Sequence, residues 1–382
     1  MEKGNLVAGE IFFASISVVL ASAVLFLPFL MAKTALQDAW ISVLVGTAVA
    51  VPFVMISISL LLKFPEKSII EILDELLGSI AGRIVGVVYA VTFLLSSALI
   101  TRQLEEFMVI SLMPETPAIA IRVLFMIVVY MGIYEGALPI VRTNVYVMPV
   151  GFIVICLVIL LATPSMTVEN ITPVLEGGMM PVLEAAFLGF AWLCQIPLVL
   201  LVFFKYLNKD KLKPMLKYKG ALTVVAVGVA LLLGALSTMA IFGPQQTSTM
   251  YYPSFNMARI ISIGGFLEHI EVIFVGVWIA AAYIATTLFG FMAIITITQI
   301  IGIGDYKKIV LPTTAALLVL PGFIIRDVSH LIFVLDSYFP ITMIALGAAV
   351  PLILLLLAAA KKSGQPEDEQ KTETSEQSAT AE

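Results

Sequence analysis

The chain has 382 residues, 60% of them hydrophobic and only 12% charged, with a mean hydropathy of +1.07. A water-soluble domain carries about a quarter charged residues, so this composition excludes one and leaves no room for a second globular domain. The formal charge of −5 arises largely in the tail, where Glu367, Asp368, Glu369, Glu373, Glu376 and Glu382 outnumber Lys361, Lys362 and Lys371; it marks a solvated tail and no nucleic-acid partner.

A bilayer core takes roughly 20 apolar residues per helix. Continuous apolar runs without strict alternation predict helices and rule out a barrel. The runs predict an all-α integral membrane protein of about ten transmembrane helices, near 11–32, 39–62, 83–110, 119–138, 144–163, 182–204, 220–242, 266–300, 309–324 and 338–360. They form one transmembrane domain, 1–362, followed by a disordered cytoplasmic tail, 363–382. The first run exceeds a signal-peptide core and has no cleavage site after it, so it is expected to be retained. Inside it, Pro28 cannot donate a backbone bond and frees the carbonyl of Val24. Ser68 to Gly78 has apolar residues at helical spacing and is expected to lie as a short helix at the membrane interface, as is the loop Ser165 to Met180. Arg102, Glu105 and Glu106 form one-turn pairs in the head-group zone. Cys156 and Cys194 fall within spans, where a thiol packs as a small apolar group; neither a disulfide nor a metal site is expected. In the sixth run Gly189 and Pro197 bracket a second candidate break, with Pro197 freeing the carbonyl of Leu193. The basic run Lys205 to Lys219 reads as a topology determinant beside anionic membrane lipid, with a docking site for a protein partner as the alternative. The eighth run, opening with Glu268, His269 and Glu271, is too long for one straight crossing; carboxylates there suit a helix N-terminus, with ligand entry or contact with a partner subunit as the alternative. Lys and Arg collect on one side, which places both termini in the cytoplasm.

Breaks in the first and sixth of ten helices match a five-plus-five inverted repeat with discontinuous first and sixth helices, whose half-helix ends bind substrate at the bilayer midplane. Two ordinary proline kinks are the competing reading. More specific is the segment Pro28 to Trp40, then Lys63-Phe-Pro65, Glu71-Ile-Leu73, Leu77-Gly78, the Pro114-Glu-Thr-Pro117 corner, Phe266 to Glu271, and Asp305-Tyr306 before Pro312. Together, in order and at similar spacing over residues 8 to 360, these resemble the B-subunit family of bacterial spore germinant receptors, the spore-germination permease family. The resemblance implies the amino acid/polyamine/organocation transporter superfamily fold. It implies residence in the spore inner membrane, action with a receptor A subunit and a C lipoprotein, and sensing of a small amino acid or similar nutrient. The chain departs from the family pattern at Ala21-Ser22, where Gly-Thr is common, and at His269, where Arg is common; a methyl at Ala21 narrows the space beside the backbone.

No enzyme constellation is present, and no catalytic residue, metal ligand or cofactor is assigned: the two histidines, His269 and His330, have no metal-ligand or triad spacing. Small and hydroxyl-bearing residues concentrate where a midplane pocket is expected. These are Ala21, Ser22 and Ala23, Ser96 and Ser97, Gly189 and Ala191, and Thr286 and Thr287, with Phe93, Phe190 and Tyr283 as walls. Singly each is as readily explained by helix packing. A zwitterion suits the site, its carboxylate meeting free N–H groups and its ammonium meeting the carbonyls near Val24 and Leu193. The leading reading is a nutrient-sensing receptor subunit; an ion-coupled permease and a channel-forming subunit are the alternatives.

Overall fold

The computed structural model describes residues 6–207, 213–261 and 269–363. The expected tail beyond Ser363 lies outside them, as do Glu268 and the basic-run residues Lys209 and Lys211, while Ser363 itself closes a helix. Among the described residues, nine apolar helical runs are long enough to cross a membrane. The first, Ala8–Lys63, is 56 residues long, far more than one crossing needs at 1.5 Å per residue. It divides at a 3-10 turn, Leu36–Asp38, where Leu36 takes a φ of 47°, so the crossings number ten.

The spans are the first Ala8–Ala35, second Ala39–Lys63, third Ser79–Ser111, fourth Ala118–Glu135 and fifth Ala137–Ala162. The sixth is split into Met179–Leu193 and Gln195–Phe203, and the seventh is Lys213–Thr247. The eighth is Glu271–Ile301, the ninth Lys307–Ile324, and the tenth runs from Val328 to Ser363. Burial sorts them. The most apolar stretch of the sixth span is 94% buried by protein, whereas those of the fourth, fifth and ninth are 28% buried, so the sixth is central and the other three face lipid. Leu6 N–H donates to Tyr206 O (3.2 Å) and Lys361 Nζ to Glu75 O (3.3 Å). Lys205, next to Tyr206, approaches Glu71, one turn before Glu75, at 3.9 Å, so both described ends of the chain lie on one side, here called the near side.

Three elements depart from or refine the expectation, each for a physical reason. Ile69–Leu77 is the expected short helix, started by a Ser68–Glu71 capping box and ended at Gly78 with φ 84°, and its apolar face packs against protein. It buries Ile69, Ile70, Ile72 and Leu73 because Gly82 and Gly86 let it approach the third span; a Cβ at Gly82 would strike the backbone of Leu73 and Asp74. The loop 163–178 holds only 3-10 turns, Thr163–Ser165 and Val168–Ile171. Its donors are used elsewhere. The seventh span kinks at Gly243 (φ 75°) and Pro244, which frees Ala240 O. That oxygen accepts from Thr167 N (2.9 Å), Thr167 Oγ1 (3.1 Å) and Asn170 Nδ2 (2.9 Å). Asp38 Oδ1 accepts from Leu175 N at 2.9 Å, so the loop straps the far ends of the first, second and seventh spans together.

The third difference is the first span, which was expected to be discontinuous and runs unbroken from Ala8 to Ala35. Its weak point is repaired by a neighbour: Ser254 Oγ donates to Val24 O, the carbonyl Pro28 leaves free, at 2.7 Å. The sixth span is interrupted for one residue, at Cys194, whose N–H still reaches Phe190 O four residues back (3.0 Å, shared with Ala191 O at 3.2 Å) and whose angles stay helical (φ −65°, ψ −10°); Pro197 withholds the donor for Leu193 O. The tenth span begins ten residues before its expected start and contains two π turns, Val334–Tyr338 and Ala345–Ala349.

At the far end the third-span pairs are joined by a cross-helix partner. Glu105, 1% exposed, receives Arg122 of the fourth span in a two-pronged pair (Nε–Oε2 2.8 Å, Nη2–Oε1 2.7 Å) and Arg102 Nη1 at 3.0 Å. Arg102 also meets Glu106 at 2.5 Å and Arg326 O at 3.0 Å, while Arg122 Nη1 donates to Leu318 O at 3.3 Å. This buried network fastens the third, fourth and ninth spans.

Candidate ligand site at the first and sixth spans

Ser22 stands midway along the first span and is 1% exposed. Its Oγ donates to Val19 O (3.2 Å) and accepts from Trp192 Nε1 (3.1 Å) and Gln195 Nε2 (3.4 Å); Gln195 Nε2 also donates to Trp192 O (3.1 Å). Trp192 and Gln195 flank the Cys194 break, so the sixth span's interruption is tied to the first span through one hydroxyl. Beside it, Trp278 Nε1 of the eighth span donates to Ala21 O at 2.8 Å. Two indoles and one amide thus converge on Ala21 and Ser22 in an otherwise apolar core, where unpartnered polar groups are costly.

The other expected site residues divide into separate contacts. Ala23 and Ala191 are fully buried. Gly189 faces Met31 and Ser42, and the Phe190 ring lies 5.2 Å from Phe53 of the second span. Phe93 packs between Tyr89 (5.9 Å) and Phe289 (6.3 Å). Ser97 Oγ bonds Thr286 O at 2.9 Å, which joins the third and eighth spans, and Ser96 Oγ bonds back to Thr92 O at 2.8 Å. Tyr283 and Thr287 bond to each other (Thr287 Oγ1 to Tyr283 O, 2.6 Å) and face Gly132 of the fourth span. On a helix advancing about 100° per residue they occupy the side away from Trp278. Sequence reasoning missed Trp192, Gln195 and Trp278; their signal is a hydrogen-bonding side chain set inside an apolar span.

Both ends of this region are closed. On the far side Phe107 makes edge contacts with Tyr252 (5.1 Å), Phe255 (5.0 Å) and Trp278 (4.9 Å), and Tyr252 with Phe26 (5.2 Å). Burial, with Glu106 nearby, pushes the Tyr252 hydroxyl far above its usual range, so this lid stays neutral. On the near side Phe203 stacks on Phe291 at 6.2 Å, beyond which Lys205 approaches Glu71 at 3.9 Å. A cavity of about 40 Å³ lies on the opposite face of the first span from Ser22, lined by Ser17, Leu20, Val24, Met148, Trp278 and Ala281 among others. Among the described residues no cluster of three or more His, Cys, Asp or Glu is placed to hold a metal.

Comparison with known proteins agrees with this architecture. The family model "Spore germination protein" matches residues 5–326. The chain is 30% identical to "Putative spore germination protein YfkT" of Bacillus subtilis (strain 168) over 256 residues, 66% of this chain and 68% of that one. It is 26% identical to "Spore germination protein YndE" of the same organism over 361 residues, 92% and 95% of the two chains. Among solved structures, MhsT in complex with L-phenylalanine superposes with a TM-score of 0.66 at 14% identity, covering 94% of this chain and 89% of that one. At that identity the likeness speaks for the fold alone: an all-helical bundle of transporter type. The match over most of the chain, on a multi-pass membrane bundle of this fold, establishes that the protein belongs to the spore germination protein family.

Proposed function

We propose that this protein is the nutrient-sensing B subunit of a spore germinant receptor. In this reading it sits in the spore inner membrane with both termini cytoplasmic, binds a small amino acid or a similar nutrient at the bilayer midplane, and signals to an A subunit and a C lipoprotein. The observation that carries the reading is the junction at the Cys194 break, where Trp192 and Gln195 donate to Ser22 and Trp278 donates to the neighbouring Ala21 carbonyl. Indole and amide N–H groups there suit a carboxylate, and the Ala21 and Val24 carbonyls suit an ammonium. In this reading Phe93, Ser97, Gly189, Phe190 and Ala191 line the space that a ligand opens beside that junction, whereas Tyr283 and Thr287 support the eighth span from behind. Because Trp192 and Gln195 already occupy Ser22, a ligand enters by displacing them, which supplies the movement that a sensor needs.

The test is Ala21→Leu and Gly189→Leu in spores, with protein level measured beside the response to a panel of L-amino acids. Both variants should accumulate and lose the response. Overpacking costs about 1 to 3 kcal/mol, so Ala21→Gly serves as the gentle counterpart and should shift preference among amino acids. An unchanged dose response in all three at normal abundance refutes the midplane site. The permease reading draws on the transporter fold and makes a separate claim: purified protein alone in liposomes should accumulate a labelled amino acid, which a sensor subunit should not.

A further inference from the structure

The tenth span departs from α-helical geometry at the level of the sixth-span break. In the turn Ala345–Ala349, Val350 N–H bonds Ala345 O instead of Leu346 O. Pro351 has no N–H to offer Gly347 O, so two consecutive carbonyls lose their helical donors. The first is claimed from outside: Tyr89 Oη of the third span, itself fully buried, donates to Leu346 O at 2.7 Å. Next to it, Gly347 lies so close to the sixth span that a Cβ there would overlap the carbonyl oxygen of Cys194, the residue at which that span breaks. One helical turn or two earlier, Phe339 packs on Trp192 at 4.7 Å, and Trp192 is the indole that holds Ser22. At its near end the same span reaches the buried helix Ile69–Leu77 through Lys361 and Glu75.

We infer that the π turn at Ala345–Ala349 is a coupling element, through which the state of the sixth-span break sets the register of the tenth span and so reaches the near face of the protein. A π turn stores one extra residue. Its conversion to α-helix moves the segment beyond it by about one residue, roughly 1.5 Å along the axis and 100° around it. That is a discrete change of the kind that two packed states require. The groups holding the π form are identifiable: Tyr89 stabilises the carbonyl that the turn frees, Pro351 withholds the donor that an α-helix would use, and Gly347 lets the turn bear on Cys194. Ligand entry that displaces Trp192 acts on this contact directly. Gly347, Tyr89 and Pro351 are positioning residues, since none of them meets the junction at Ser22.

This inference rests on the midplane reading above, and the experiment separates the two. Tyr89→Phe, Pro351→Ala and the double variant are expressed in spores with their partner subunits, and each is also purified for direct binding of a panel of labelled L-amino acids. Tyr89→Phe removes one hydroxyl, and Pro351→Ala restores one N–H, so neither adds bulk. Both weaken the π form. Each should shift the half-maximal nutrient concentration in the same direction by roughly 5- to 150-fold, the usual scale of coupling between sites. The double variant should shift it by less than the product of the two. Binding by the purified chain should be retained in both, which a residue of the ligand site itself would not allow. Gly347→Ala should uncouple response from binding most completely where it accumulates. Shifts in opposite directions, multiplicative shifts, or an unchanged response with normal abundance each overturn the coupling role. Loss of response in Ala21→Leu with unchanged behaviour of Tyr89→Phe and Pro351→Ala would overturn it while leaving the site in place.

Discussion

Removing the Ser254 hydroxyl tests how the first span stays whole across Pro28. Ser254 is 4% exposed, and its Oγ lies 2.7 Å from Val24 O. In Ser254→Ala that carbonyl loses its side-chain donor inside a water-poor core. Interhelical hydrogen bonds in membrane proteins average about 0.6 kcal/mol and reach about 1.7, whereas a stranded buried acceptor costs about 1 to 3. The larger range governs here because residue 28 is proline and cannot step in. A loss of about 1.5 kcal/mol is expected, roughly tenfold in the unfolding equilibrium. Pro28→Ala supplies an N–H to Val24 O, so in that background Ser254→Ala should cost little. The assay is denaturant unfolding of the four purified proteins in micelles, read as a double-mutant cycle. An equal cost of Ser254→Ala in both backgrounds would refute the claim that the serine replaces the missing helical donor.

Two further outcomes are expected. With Cys156 and Cys194 replaced, single cysteines at Glu66 and Ser363 should be labelled by an impermeant thiol reagent from the cytoplasmic side only, and one at Thr249, exposed beyond the seventh span, from outside only; labelling of Glu66 and Thr249 from one side would refute the even-span arrangement. Glu105→Ala should lower abundance and melting temperature sharply, since it leaves the buried Arg122 without its carboxylate at about 3 to 5 kcal/mol, whereas Glu106→Ala, which leaves Arg102 paired with Glu105, should cost much less; the reverse order would refute the assignment of Glu105 as the hub.

The crossings, the amphipathic segment after Ser68 and the break near Pro197 were legible because hydropathy and proline act locally. What followed from each proline was not. Pro28 and Pro197 announce the same missing donor, yet the first span is whole and the sixth is broken, because the replacement donor on Val24 comes from Ser254, 230 residues away. Helical phase explains another part. Thr286 and Thr287 read as one polar patch, but neighbours on a helix diverge by about 100°; the backbone of Thr286 meets Ser97 while Thr287 turns toward Gly132. The buried Arg122 pair was out of reach for the same reason as Ser254. Trp192, Gln195 and Trp278 were in reach, since a donor within an apolar run must find an acceptor.

Freed carbonyls are the natural ammonium ligands of an interrupted membrane helix, and here the described structure gives three of the relevant ones to the protein itself. Val24 O is held by Ser254, Ala240 O by Thr167 and Asn170, and Leu346 O by Tyr89. Each of these donors comes from a different part of the chain, so each bond joins two elements. A ligand ammonium that takes Val24 O must compete with a neutral hydroxyl already in place, and a charged donor wins such a contest by roughly twofold in bond strength. Its success would release Ser254 and with it the short helix Pro253–Arg259, which carries Phe255 of the far-side lid. If the proposed midplane ligand takes Val24 O, its occupation and movement of the lid are coupled, and the same competition at Ser22 would move Trp192 against the tenth span.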